Sequence, residues 1–272
     1  MSSILVCTIM RDMVEHPNWE GVGSPLEMYF AQLEALMSRH EVRVSIYEND
    51  SSDGTPERVR VWAEGKSVTL VSEKLNSPDY KGKFVLQSTK EELVDRFARY
   101  AGFRNRPFEL LGDEEWLLLV DPDVIYPVEL IDYLLSGPGD IRSSLSFSHW
   151  LDLSSFYDPL STRDLEGKCF RWAWPPANRE EDMIACIRGI PFEVSSTWNC
   201  LLLVRADLVR QGLRFRTPAW GDNEPSTFCQ DARALGAKVY VYPATRLSVY
   251  HPLELARKLN GSSRIDRVQE RG

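Results

Sequence analysis

Short apolar runs alternate with longer amphipathic stretches through the first half of this chain. Residues 4–8, 42–47 and 67–71 read as strands, and 116–120 is Trp-Leu-Leu-Leu-Val with no polar alternation. Unbroken runs of that kind fit strands covered on both faces. Between them, residues 25–37 carry Leu26, Phe30, Leu33 and Met37 on one helical face. Residues 56–64 predict a short helix, with Thr55 as N-cap and Pro56 at its first position. Residues 87–111 predict a long helix bent near Gly102 and Pro107, and 128–135 a further one. Strand and helix in alternation predict an α/β fold: a mostly parallel central sheet with helices on both faces.

The second half is less regular and predicts a smaller, irregular part. Residues 141–149, 198–204, 238–242 and 246–250 read as strands, and 226–235 as a helix closed by Gly236. Residues 151–195 form a long segment rich in Pro, Trp and Arg, and a loop of that length inside a domain is usually functional. Residues 260–272 are polar and predict a frayed tail. No linker divides the pattern, so the 272 residues are expected to form a single domain. Its halves would be 1–125 and 126–259.

Composition narrows the function classes. A hydrophobic content of 43% is ordinary for a globular protein, and a net charge of −8 argues against a nucleic-acid partner. The five cysteines are odd in number and contain no Cys-x-x-Cys, which argues for a reducing compartment and against a disulfide framework or zinc site. Cys7 and Cys200 sit in apolar runs and read as core, as does Trp116. Asn49-Asp50-Ser51 and Asn260-Gly261-Ser262 fit the glycosylation pattern but mean little without a secretory signal. Neither a signal peptide nor a transmembrane segment is visible, so a cytoplasmic location is expected, with peripheral membrane association open.

The strand at 116–120 runs directly into Asp121-Pro122-Asp123. Ligands enter where such a strand ends, and two carboxylates there can hold a hard divalent cation that in turn holds a diphosphate. The alternative is a surface turn after a core strand. His251, directly after the last strand, is a candidate third metal ligand. The turn after the second strand offers Asp50, with Glu48 second, for a ribose or base. Asp50, Ser51 and Asp53 could instead cap the helix that follows. Thr8 and Arg11, after the first strand, belong to the same nucleotide side, and Arg104 in Arg104-Asn105-Arg106 is a candidate for the phosphates. Asp222 and Glu224, ahead of the 226–235 helix, could orient a sugar hydroxyl, act as a base, or simply cap the helix. In and after the long loop, Asp158, Arg163, Asp164, Trp198 and Asn199 mix aromatic and polar groups in a way that suits sugar rings.

Taken in order, these motifs resemble the fungal capsule-associated mannosyltransferases of glycosyltransferase family 69, over most of the chain. The series runs from Tyr47-Glu48-Asn49-Asp50-Ser51 and Asp53-Gly54-Thr55 to Arg104-Asn105. It continues through Asp158, Arg163-Asp164, Gly167, Trp174-Pro175 and Val194 to Cys200, then Arg214-Phe215-Arg216, Glu224 to Cys229 and Asp231. The chain departs from the family at Asp121-Pro122-Asp123-Val124, where Asn-Asp-Val is frequent. It also departs in showing no N-terminal membrane anchor. The resemblance implies a GT-A fold and transfer of mannose from GDP-mannose to a glycan or glycolipid acceptor, with retention. The expected site has Mn²⁺ or Mg²⁺ on Asp121, Asp123 and His251. If the reaction inverts, Asp222 or Glu224 is the candidate base. A nucleotidyltransferase is the alternative enzyme, but Thr8-Ile9-Met10-Arg11 lacks the glycine of a phosphate loop. A non-catalytic carbohydrate-binding protein is the other alternative.

Overall fold

The computed structural model describes residues 2–15, 23–78, 89–148, 156–219, 222–244 and 247–251. The expected tail, the 260–262 sequon, residues 87–88, His149 and position 246 lie outside them.

The N-terminal strands are β1 (Ser3–Met10), β2 (Glu41–Asn49), β3 (Val68–Glu73) and β4 (Trp116–Val120). They are joined by α1 (Pro25–Met37), α2 (Thr55–Ala63) and α3 (Lys90–Asn105), and α3 runs into a 3-10 turn at Arg106–Leu110. After β4 come α4 (Glu129–Ser136), β5 (Ile141–Ser144), β6 (Ser146–Phe147), α5 (Glu180–Arg188) and β7 (Phe192–Val194). The chain then forms β8 (Leu201–Arg205), α6 (Ala206–Arg210), α7 (Glu224–Ala234), β9 (Val239–Tyr242) and β10 (Val249–Tyr250).

Eight strands make one sheet in the order β3-β2-β1-β4-β8-β5-β9-β7. The pairs β3–β2, β2–β1, β1–β4 and β5–β9 are parallel. β8 runs antiparallel between β4 and β5, and β7 is antiparallel to β9 at the edge. The mostly parallel α/β architecture is the expected one. All five residues of β4 are buried, with Leu118 opposite Val6 on one side and Leu203 on the other. Trp116 is buried beneath the guanidinium groups of Arg142 and Arg205, 4.4 and 5.0 Å from its ring centre. The five cysteines are free, and Cys7 and Cys200 are in the core, as read from sequence.

Several boundaries differ from expectation for local reasons. Thr55 is the first residue of α2 rather than its cap, because Gly54 takes the left-handed N-cap conformation. Gly102 does not interrupt α3, which bends only where Pro107 enters the 3-10 turn. Residues 198–200 form a turn rather than the start of a strand, with Asn199 and Cys200 at φ of 52° and 61°. The long loop contains α5, with Glu180, Glu181 and Asp182 in its first turn and left-handed Gly189 as C-cap.

Strand direction decides what meets at the sheet edge. Because β8 is antiparallel to β4, Val120 lies opposite Leu201, and Asp121 N–H donates to the Cys200 carbonyl at 3.0 Å. The 198–200 turn is thereby carried to the end of β4. Leu118→Ala should cost about 2–5 kcal/mol, since the cavity would open in a layer that cannot collapse. Urea unfolding checks this, and a loss well under 1 kcal/mol would mean that β4 is not the packed centre.

Candidate functional site

The site lies where β1, β2 and β4 end, because parallel strands there leave their last carbonyls and the following turns facing a common edge. Five non-glycine residues have positive φ among the described residues: Asp12, Asp50, Asn76, Asn199 and Cys200. The first three follow β1, β2 and β3, and the last two precede β8. Strained backbone gathered on one edge points to function there.

At the end of β4 stands a partly buried ion cluster. The Arg104 Nη1 donates to Asp121 Oδ1 at 3.1 Å, and its Nε donates to Glu224 Oε1 at 3.4 Å. The guanidinium lies 3.9 Å from the Trp198 ring centre, and Trp198 Nε1 donates to the other Asp121 oxygen at 3.0 Å. Burial pushes the Glu224 carboxyl up, and Arg104 offsets only part of that. Burial lowers the Arg104 pKa, but Asp121 and Glu224 outweigh it and hold the side chain charged. Glu224 Oε2 and the nearby Ser226 Oγ are buried without hydrogen-bond partners at the head of α7.

Three expected site residues meet in this cluster. Arg104, read as a phosphate ligand, pairs with two carboxylates. Asp121, read as a metal ligand, has both oxygens occupied by Arg104 and Trp198. Trp198, read as a sugar platform, is buried and holds that pair in register.

Asp123 and His251 are brought together as expected. Ile125 and Tyr250 exchange backbone hydrogen bonds at 2.8 and 2.7 Å, which stitches β10 to the turn after β4. His251 Nε2 then faces Asp123 Oδ2 at 3.3 Å, and Tyr157 stacks on the imidazole with ring centres 4.5 Å apart. His251 Nδ1 is buried with no hydrogen-bond partner. The nitrogen that faces Asp123 is Nε2, so an ion shared by the two residues would be bound through Nε2 and not through the buried Nδ1. Among the described residues, no group of three or more His, Cys, Asp or Glu side chains converges on a metal position.

On the nucleotide side, several candidates bind their own chain. The Thr8 hydroxyl donates to the Val120 carbonyl at 2.8 Å and pairs with Tyr29 Oη at 2.6 Å. Glu48 accepts from Ser51 N–H and from the Ser72 hydroxyl. Asp50 accepts from Leu75, Asn76 and Ser77 N–H at 2.7–2.9 Å and from Asn49. Arg11 reaches the carbonyls of Ser77 and Pro78 at 3.2 and 3.3 Å.

The loop residues divide similarly. Asp158 is half-buried and accepts from Asn199 N–H at 3.0 Å; desolvation pushes its carboxyl up against that bond and those from Ser161. Asp164 organises its own turn, accepting from Glu166 and Lys168 N–H and from Asn178. Asn199 is buried, bound to Ser146, Thr162 and Thr197. None of these three presents a free side chain to a sugar. Arg163 pairs with Asp222 at 2.6 Å, beside the cluster at the head of α7.

Two sets of positioning residues escaped the sequence reading. Asp53 accepts from Val14 and Glu15 N–H, and Asp12 from Ser52 N–H, so the turns after β1 and β2 interlock. Gln32 on α1 donates to the Val124 carbonyl at 3.0 Å and accepts from Tyr126 N–H at 2.8 Å, fixing the segment after Asp123. A polar residue on the buried face of α1, three residues from Tyr29 and four from Leu36, was the available signal.

Asp50 gives this edge a pH signature. Burial raises its carboxyl, but the hydrogen bonds from residues 75–77 and Asn49 outweigh it and hold the group well below the usual carboxylate range. The native state therefore binds fewer protons than the unfolded chain. Its contribution is full above the ordinary aspartate value of about 4 and is lost as pH falls below it. Asp50→Asn should flatten the fall in stability between about pH 5 and pH 2, followed by urea unfolding. An unchanged acid limb would show that the carboxylate is not held this way.

The geometry can be set beside known proteins. Residues 17–231 match the family described as cryptococcal mannosyltransferase 1. No curated protein matches significantly. Among solved structures the chain is similar to S. aureus TarS 1-349, at 13% identity and TM-score 0.49, covering 95% of this chain and 64% of that one. This chain thus spans less than two thirds of that structure. The inositol-1-phosphate CTP transferase from T. maritima is 13% identical, at TM-score 0.45, over 89% of this chain and 85% of that one. Glucosyl-3-phosphoglycerate synthase from Mycobacterium tuberculosis, solved with Mn²⁺, UDP and phosphoglyceric acid, is 13% identical at TM-score 0.42, over 86% and 65%. On the family match, which takes in every strand from β2 to β8, the chain belongs to the cryptococcal mannosyltransferase 1 family, a family of glycosyltransferases.

Proposed function

We propose that this protein is a metal-dependent glycosyltransferase that moves mannose from GDP-mannose to an acceptor hydroxyl, with retention of configuration. The observation that carries the reading is the meeting of Asp123 and His251 at the end of β4, beside a partly buried acid cluster. Family membership supports the choice of donor sugar and of stereochemical outcome. The single-domain reading goes with it, the N-terminal half taking the donor and the C-terminal half the acceptor.

Asp123 and His251, through Nε2, would hold Mn²⁺ or Mg²⁺, with Asp121 behind them as the partner of Arg104. Such an ion would supply positive charge for the leaving diphosphate. Arg11 and the Asp50 turn flank the nucleoside at the ends of β1 and β2. Glu224, buried against Arg104, holds the guanidinium from behind and sets the charge of the floor on the acceptor side. Asp222, held in place by Arg163, is the acid on the acceptor side. Retention requires no dedicated base. For an inverting reaction, Asp222 would take the acceptor proton.

Asp123→Ala should abolish metal-dependent transfer while leaving the circular dichroism spectrum intact. It should also remove the binding of Mn²⁺ followed by titration calorimetry. Undiminished turnover in that variant, insensitive to chelator, would contradict the proposal.

A further inference from the structure

A second recess lies beside the acid cluster. It is an open cleft of about 150 Å³, walled by Leu93, Val94 and Phe97 of α3 and by Leu160, Pro218 and Ala219. Its polar edge is Arg163, Asp222 and Asn223, and the head of α7 with Glu224 follows directly. Phe97 is seven residues before Arg104 on α3, so the cleft is about 10 Å along the helix from the ion cluster.

The polar groups of the cleft are already engaged. Arg163 bonds Asp222 at 2.6 Å and the Leu160 carbonyl at 3.4 Å. Asn223 accepts from Ser226 N–H and donates to Ser161 Oγ, both at 2.9 Å. A sugar ring buried there would give up hydrogen bonds to water and find few in return. An anion would find Arg163 already neutralised. An apolar group loses nothing on entering and removes exposed apolar wall from water.

Resting on the glycosyltransferase reading, we propose that this cleft binds an alkyl chain carried by the acceptor. The acceptor is then a glycolipid-like molecule, its hydroxyl reaching the acids at the head of α7 while its chain lies against Phe97 and Leu160. The expectation that the 151–199 segment offers a sugar platform is thereby narrowed: around Leu160 it offers an apolar wall.

The test is titration calorimetry without donor, using octyl mannoside below its micellar concentration against methyl mannoside. The octyl compound should bind roughly tenfold or more tightly, as burial of several methylenes requires. Phe97→Asp should erase the difference, and so should Leu160→Ala, a truncation at a half-exposed position that leaves the fold intact. Equal affinities, or a preference that survives in a folded Phe97→Asp variant, would overturn the proposal. Because no donor is present, a chain preference alongside a failure to transfer from any nucleotide-sugar would sink the transferase reading and leave the cleft standing.

Discussion

One guanidinium holds this site together. Arg104 comes from the last turn of α3, Asp121 from the end of β4, Glu224 from the head of α7 and Trp198 from the turn before β8. Four distant segments are fixed by one planar cation because it donates along its edge and stacks on its face at once. Two buried carboxylates repel each other unless a cation lies between them, and a buried pair that loses one partner is left with an uncompensated charge. The arrangement explains why Asp121 ends a strand of purely apolar residues without disrupting it. It also leaves Asp123 as the acid of the pair that faces His251.

The rest of the edge is built to hold still. Asp12, Asp53 and Asp50 each accept backbone N–H groups from a neighbouring turn, so the ends of β1, β2 and β3 are cross-tied rather than loose. Asp12, Asp50 and Asn76, all with left-handed backbone, lie within those ties. A donor arriving at such an edge meets groups already oriented, so little ordering remains to be done on binding. The same rigidity extends to His251, whose position depends on the Ile125–Tyr250 bridge and on Tyr157 packed against its ring.

Much of the fold was legible because burial on both faces leaves an unmistakable apolar run. The bounds of α1, and the β4 run before Asp121, follow from periodicity alone. The direction of β8 did not, since an apolar run looks the same read either way, and that direction is what carries Trp198 to Asp121. Helix α5 was hidden by the Pro- and Trp-rich sequence before it. Of the site, the pairing of Asp123 with His251 was readable from residue type and strand ends. The work of Asp50, Asp164 and Asn199 was not, because a carboxylate or amide that ties down its own backbone has the same sequence signature as one that meets a ligand.

The proposed function puts a nucleotide-sugar at this strand edge. Nucleotide release from a panel of GDP- and UDP-sugars, each with and without Mn²⁺, tests it. Release from GDP-mannose that depends on the ion is expected. Folded protein that releases nucleotide from no member of the panel, with or without Mn²⁺, would rule the proposal out.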